Sequence, residues 1–138
     1  MVVAACIAWG YVLLKRITDA RMALAGGVFL ALDPFTIGFS KQIHLNAVLA
    51  AFMMMSVLFL LNHLAHKKRV TLVWSGVFAG LSLLTKLPAI FLLPFAILSL
   101  AVFRLKESTS LRSFFDHPWG DARKLLIWCG IAIAVFWA

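Results

Sequence analysis

SKQIHLNAVLAAFMMMSVLFLLNHLAHKKR, residues 40–69, is the stretch whose reading decides the fold. Five polar side chains crowd into positions 40–46, an uncharged apolar run follows, and the stretch ends on Lys67-Lys68-Arg69. As a helix the segment 43–61 would run roughly 28 Å, about the depth of a bilayer's hydrocarbon core. The stretch therefore reads as a membrane-spanning helix with a polar mouth and a basic foot.

The same alternation continues through the chain. Apolar segments occupy about 1–14, 22–39, 43–61, 70–85, 87–103 and 125–138. The composition is 64% hydrophobic and 13% charged, with a mean hydropathy of +1.01, well above the 45–50% apolar content of soluble domains. Backbone in lipid must satisfy its own hydrogen bonds, so the expected fold is all-α. It is a polytopic transmembrane helix bundle of about four complete and two partial helices, forming a single region over 1–138. Residues 70–103 are too long for one span, since that helix would reach roughly 51 Å. A hairpin with its tip at TKLP (85–88) is expected, because Pro88 suits the first turn of a new helix. The opening MVVAACIAWGYVLLKR lacks the positive start of a signal peptide. Its apolar run and the last segment, LLIWCGIAIAVFWA, are both short of the ~20 residues a span needs. Both ends look cut, and the chain reads as a piece of a larger membrane protein or a truncated gene product.

Eleven of the thirteen Lys and Arg residues lie in 15–21, 62–69 and 104–124; the other two are Lys41 and Lys86. Positive loops stay cytoplasmic, which places SKQIHLN and TKLP on the extracytoplasmic side of the inner (plasma) membrane. The net charge of +8 is thereby a matter of topology, and no nucleic-acid partner is expected. Cys6 and Cys129 read as buried membrane cysteines. His63 and His66, beside three cations, read as a solvated turn. Residues 104–124 read as an interfacial segment closed by the turn His117-Pro118-Trp119-Gly120. Gly76-Val-Phe-Ala-Gly80 is a small-xxx-small pattern for close helix packing, and Gly26-Gly27 reads likewise. Met53, Met54 and Met55 read as filler, and Trp9, Trp74, Trp128 and Trp137 as packing or interface aromatics.

On a helix Ser40 and His44 are neighbours, as are Gln42 and Asn46, and Lys41 lies three before His44. Lys41 and Lys86 head polar motifs at one depth. Two cations with hydroxyl and amide donors at a membrane vestibule suit a phosphate or pyrophosphate group, here that of a lipid carrier. Snorkelling accounts for Lys41 and Gln42 but less well for the deeper His44 and Asn46. Asp33, inside GGVFLALDPF, is either an intramembrane functional acid or a cap that precedes the helix-breaking Pro34 and accepts from the amides freed beyond it.

ALDPFTIGFSKQIHLNAVLAAFMMMSVLFLL, then a basic turn, then WSGVFAGLSLLTKLPAIFLLP, resembles the membrane-embedded GT-C glycosyltransferases over about residues 22–103. The resemblance is to family 39, the protein O-mannosyltransferase-like group that includes bacterial lipid A aminoarabinose transferases. It implies transfer of a sugar from a polyprenyl-phosphate donor to an extracytoplasmic acceptor, which agrees with the side reached from charge. It also implies that Lys41, His44 and Lys86 stand at family positions, Lys41 replacing an Arg, with Ser40 beside them. Asn46 stands where the family carries an acid, and an amide cannot act as a base. The family's other acid would precede Met1, so this chain alone is expected not to catalyse transfer. A divalent metal is compatible with the family, though no ligand set is visible here. The expected partners are membrane lipid, the polyprenyl-phosphate sugar and the remainder of a parent protein. Two other readings stand beside this one: a transporter or flippase segment using Asp33 and His44, and a degenerate scaffold that has lost catalysis.

Overall fold

A computed structural model describes residues 2–34, 37–38, 45–107 and 118–138. Among the described residues six α-helices can be delimited and there is no strand: α1 (Val2–Leu14), α2 (Ala20–Leu32), α3 (Leu45–His66), α4 (Arg69–Thr85), α5 (Leu92–Glu107) and α6 (Pro118–Trp137). A 3-10 turn, Leu87–Phe91, leads into α5. Two segments, Asn46–His66 and Leu87–Arg104, are long and apolar enough to cross a membrane, while α1, α2 and α4 are shorter apolar helices. The fold is the helical membrane bundle that the hydropathy pattern calls for.

The expected segment 22–39 is interrupted. α2 stops at Leu32, Asp33 is extended (φ −60°, ψ 119°), and the following Pro34 explains why, since a residue before proline is driven out of the α region. At the other end of the long span the expected loop is shorter than read. α3 runs on through Asn62, His63 and His66, and the reversal falls to Lys67, a left-handed residue (φ 54°) whose N–H donates to His63 O at 2.7 Å. His63 is buried rather than solvated, at 5% exposure. Its Nδ1 bonds Lys68 O at 2.8 Å, which a carbonyl acceptor permits only if Nδ1 carries the proton. Thr71 Oγ1 donates to the same carbonyl at 2.6 Å. Polar residues were read as a loop because their partners, all backbone carbonyls, are invisible in a hydropathy profile. The expected interfacial loop is also trimmed: α5 continues to Glu107, and 118–120 form the first turn of α6 rather than a closing turn. Proline is well placed in a first helical turn; 108–117 lie outside the described residues.

α3 and α4 form the centre. Ser56 Oγ donates to Ser75 O at 2.9 Å and Ser75 Oγ to Ser56 O at 2.8 Å, and Trp128 Nε1 on α6 donates to Ser75 Oγ at 2.9 Å. These bonds link three helices through a buried, apolar interior. α6 can come this close because α4 presents Gly76 and Gly80. A Cβ at Gly80 would lie 2.6 Å from Val135 Cβ, and one at Gly76 would lie 3.0 Å from Ile131 Cβ. Small-xxx-small packing is thus observed. α1 packs on α3 through Cys6, Leu13, Met55 and Phe59, with the rings of Phe59 and Trp74 in contact with each other and with both Trp9 and Phe78. α2 lies on the far side of α1, where Gly26 meets Leu14.

Candidate functional site

The bundle has two chemically distinct ends. At one, Asn62 Nδ2 donates to Leu13 O at 3.0 Å and His66 Nε2 to Arg16 O at 3.0 Å, which brings the basic turn after α1 against the basic foot of α3. The start of α4, the end of α5 and the start of α6 meet there too, around one cavity. The other end joins the mouth of α3 to the end of α4. Among the described residues the segregation of charge inferred from the sequence is therefore a property of the folded chain.

At the second end, Lys86 Nζ donates to Asn46 Oδ1 at 2.6 Å. Asn46 lies half-buried in the first turn of α3. Lys86 is held by the way α4 ends. Thr85 Oγ1 donates to Ser82 O at 2.6 Å, Lys86 N–H donates to the same carbonyl at 3.1 Å, and Lys86 O accepts from Ala89 N–H at 3.2 Å. Lys86 itself is extended (φ −164°, ψ 147°), with Pro88 in the turn that follows. The Thr-Lys-Leu-Pro sequence thus fixes where the lysine leaves the helix, and the ammonium reaches across to α3.

An exposed contact of this kind contributes little to stability. Its consequence is positional. The ammonium has three N–H donors and gives one to Asn46, while the Asn46 amide keeps its Nδ2 hydrogens as donors. The pair therefore offers donors and positive charge at the end of an apolar bundle, an arrangement suited to an anion. A metal ion fits poorly here, since the Asn46 oxygen already faces an ammonium. Among the described residues no three His, Cys, Asp or Glu side chains gather as a metal site.

Of the residues singled out from the sequence, Asn46 and Lys86 are brought together; Ser40, Lys41 and His44 lie outside the described residues. Asp33 is half-buried at the end of α2, where its extended backbone makes the expected helix break, and its carbonyl accepts from Ile37 N–H at 3.0 Å. Sequence reading did not find the Ser56–Ser75–Trp128 network or the Asn62 bond to α1. Serines interrupting apolar segments were the available signal, because such hydroxyls in a bilayer tend to bond across helices.

A family model of dolichyl-phosphate-mannose-protein mannosyltransferases matches residues 1–136. The chain belongs to that family. The match takes in five described helices of this mannosyltransferase-family chain whole and all of α6 but its last residue, Trp137, so the GT-C resemblance read over 22–103 extends across nearly all of the chain. The family is one of membrane-integral glycosyltransferases. No curated protein matches the chain, and no solved structure does either.

Proposed function

We propose that the chain serves in transferring a sugar from a polyprenyl-phosphate donor to an extracytoplasmic acceptor, with the Asn46–Lys86 end receiving the donor's phosphate. The observation that carries this is the 2.6 Å contact between two residues forty positions apart. It gathers charge and donors at the end of the bundle opposite the basic loops. The positive-inside rule then turns that end outward in the plasma membrane. Ser40, Lys41 and His44, within six residues of Asn46, would add a hydroxyl, a second cation and an imidazole.

In the reaction the acceptor's oxygen attacks the anomeric carbon from the face opposite the phosphate. The bond from that carbon to the phosphate oxygen breaks, and its electron pair leaves with the polyprenyl phosphate, inverting the centre. Negative charge grows on the departing phosphate, where the Lys86 ammonium is of most use. Asn46 Nδ2 donates to the phosphate or to a sugar hydroxyl. Asn46 cannot take the acceptor's proton, so that proton goes to a base other than Asn46.

Binding tests this apart from turnover. The protein in liposomes is titrated with a short-chain polyprenyl phosphate. Hydrogen bonds to charged groups are worth about 1.5–3 kcal/mol, so Lys86→Ala should weaken binding by roughly ten- to a hundredfold, with Lys86→Arg retaining most of it. Unchanged binding by Lys86→Ala removes the assignment.

A further inference from the structure

The opposite end of the bundle carries a feature that sugar transfer does not use. A cavity of about 440 Å³ opens between α3, α4, α5 and α6. Five of its lining residues are cations, Lys67, Arg69, Arg104, Arg123 and Lys124, drawn from the turn after α3 and from three different helices. The rest of its lining is largely apolar and includes Leu72, Phe103 and Ile127; Leu72 and Ile127 each lie three residues further into their helices than a lining cation, Arg69 and Lys124. The volume lies within the range of small-molecule sites.

The end of α4 that borders this cavity is electrostatically unusual. Helix starts carry partial positive charge and favour acids in the first turn. α4 instead has no acid in its first turn, opens on Arg69, and has Lys68 as an N-cap residue whose side chain makes no capping bond. Positive side chains and a positive helix end thus converge on one void, and an anion there is favoured by both. The apolar wall running away from the cations, toward the middle of the bundle, adds a second requirement: the anion should bring hydrocarbon with it.

We propose that this cavity is a binding site for an anionic glycerophospholipid. Its phosphate sits between Arg69 and Arg123, and its upper acyl chains lie along Leu72, Phe103 and Ile127. Arginine suits this role, since its planar fork matches a phosphate's oxygens. Basic pockets between membrane helices on the cytoplasmic side are a recurring form of lipid-headgroup recognition. The site is at the far end of the bundle from Lys86 and is independent of the reading given above for that residue.

The test uses the full chain in nanodiscs of phosphatidylcholine doped with increasing phosphatidylglycerol, with bound lipid counted by native mass spectrometry. Saturation at one phosphatidylglycerol per chain is expected. A cation near a membrane surface contributes about fivefold to anionic-lipid affinity, so Arg69→Gln with Arg123→Gln should weaken it by roughly twentyfold. The charge-matched pair Lys15→Gln with Arg21→Gln, both exposed and away from the cavity lining, should leave it within about twofold. Equal losses in the two double variants, or a linear rise without saturation in the unaltered chain, would show unspecific attraction and overturn the proposal. So would equally tight binding of free glycerol phosphate, which lacks the acyl chains. Saturation is read on the unaltered protein, so the proposal stays testable even if a variant fails to fold.

Discussion

Replacing Gly80 by alanine is the sharpest perturbation of the α4–α6 contact. The added methyl carbon would stand 2.6 Å from Val135 Cβ, 2.7 Å from the carbonyl oxygen of Ala132 and 2.9 Å from Val135 Cγ1, where ordinary contact begins near 3.4 Å. Turning the valine moves Cγ1 but not Cβ, and the carbonyl belongs to the backbone of α6, so relief requires the helices to part by several tenths of an ångström. That movement stretches the 2.9 Å bond from Trp128 Nε1 to Ser75 Oγ, one turn away. Overpacking of this sort costs about 1–3 kcal/mol, offset by about 0.5–1 kcal/mol because alanine favours a helix over glycine. The expected net loss is about 1–2 kcal/mol. Gly130→Ala is the control, since its Cβ would meet nothing within 4 Å, and it should be neutral or slightly stabilising. Gly76→Ala, with a nearest approach of 3.0 Å, should fall between. Unfolding in mixed micelles by stepwise addition of denaturing detergent, followed by tryptophan fluorescence, gives the three values. A Gly80→Ala protein as stable as Gly130→Ala would refute the tight α4–α6 packing.

The same assay reads three further changes. Ser75→Ala strands the Trp128 indole N–H and removes a hydroxyl bonded to Ser56 O; a loss of about 1–3 kcal/mol is expected for a buried donor left unpaired, with a changed Trp128 emission. Asn62→Ala removes the bond to Leu13 O, and interhelical bonds of this type in membranes average about 0.6 kcal/mol; faster hydrogen exchange should appear in α1 and not in α6. Lys67→Gly relieves a left-handed backbone that costs a non-glycine residue about 1–2 kcal/mol, so it should stabilise the chain measurably.

Much of the architecture follows from features that hydropathy and breakers express directly. The long span of α3, the break at Asp33-Pro34 and the reversal at Thr-Lys-Leu-Pro are of this kind, since each depends on local chain chemistry. What stayed hidden depends on partners distant in sequence. Asn62 and His63 look like loop residues until Leu13 O and Lys68 O are found beside them. The two lysines at the polar end were matched by depth alone, and the contact of Lys86 with Asn46 needed the α3–α4 crossing to form. In the sequence the basic residues carry only a topological expectation, and the convergence of five of them on one cavity needed four elements in place.

Sidedness underlies the reading of both ends, and cysteine labelling measures it most directly. In a chain with Cys6 and Cys129 replaced by alanine, Lys86→Cys and Lys68→Cys are made singly and expressed in intact cells. A membrane-impermeant thiol reagent is expected to modify position 86 at once and position 68 only after the membrane is opened. Modification of 68 from outside, with 86 protected, would turn the bundle over and contradict the outward-facing phosphate site.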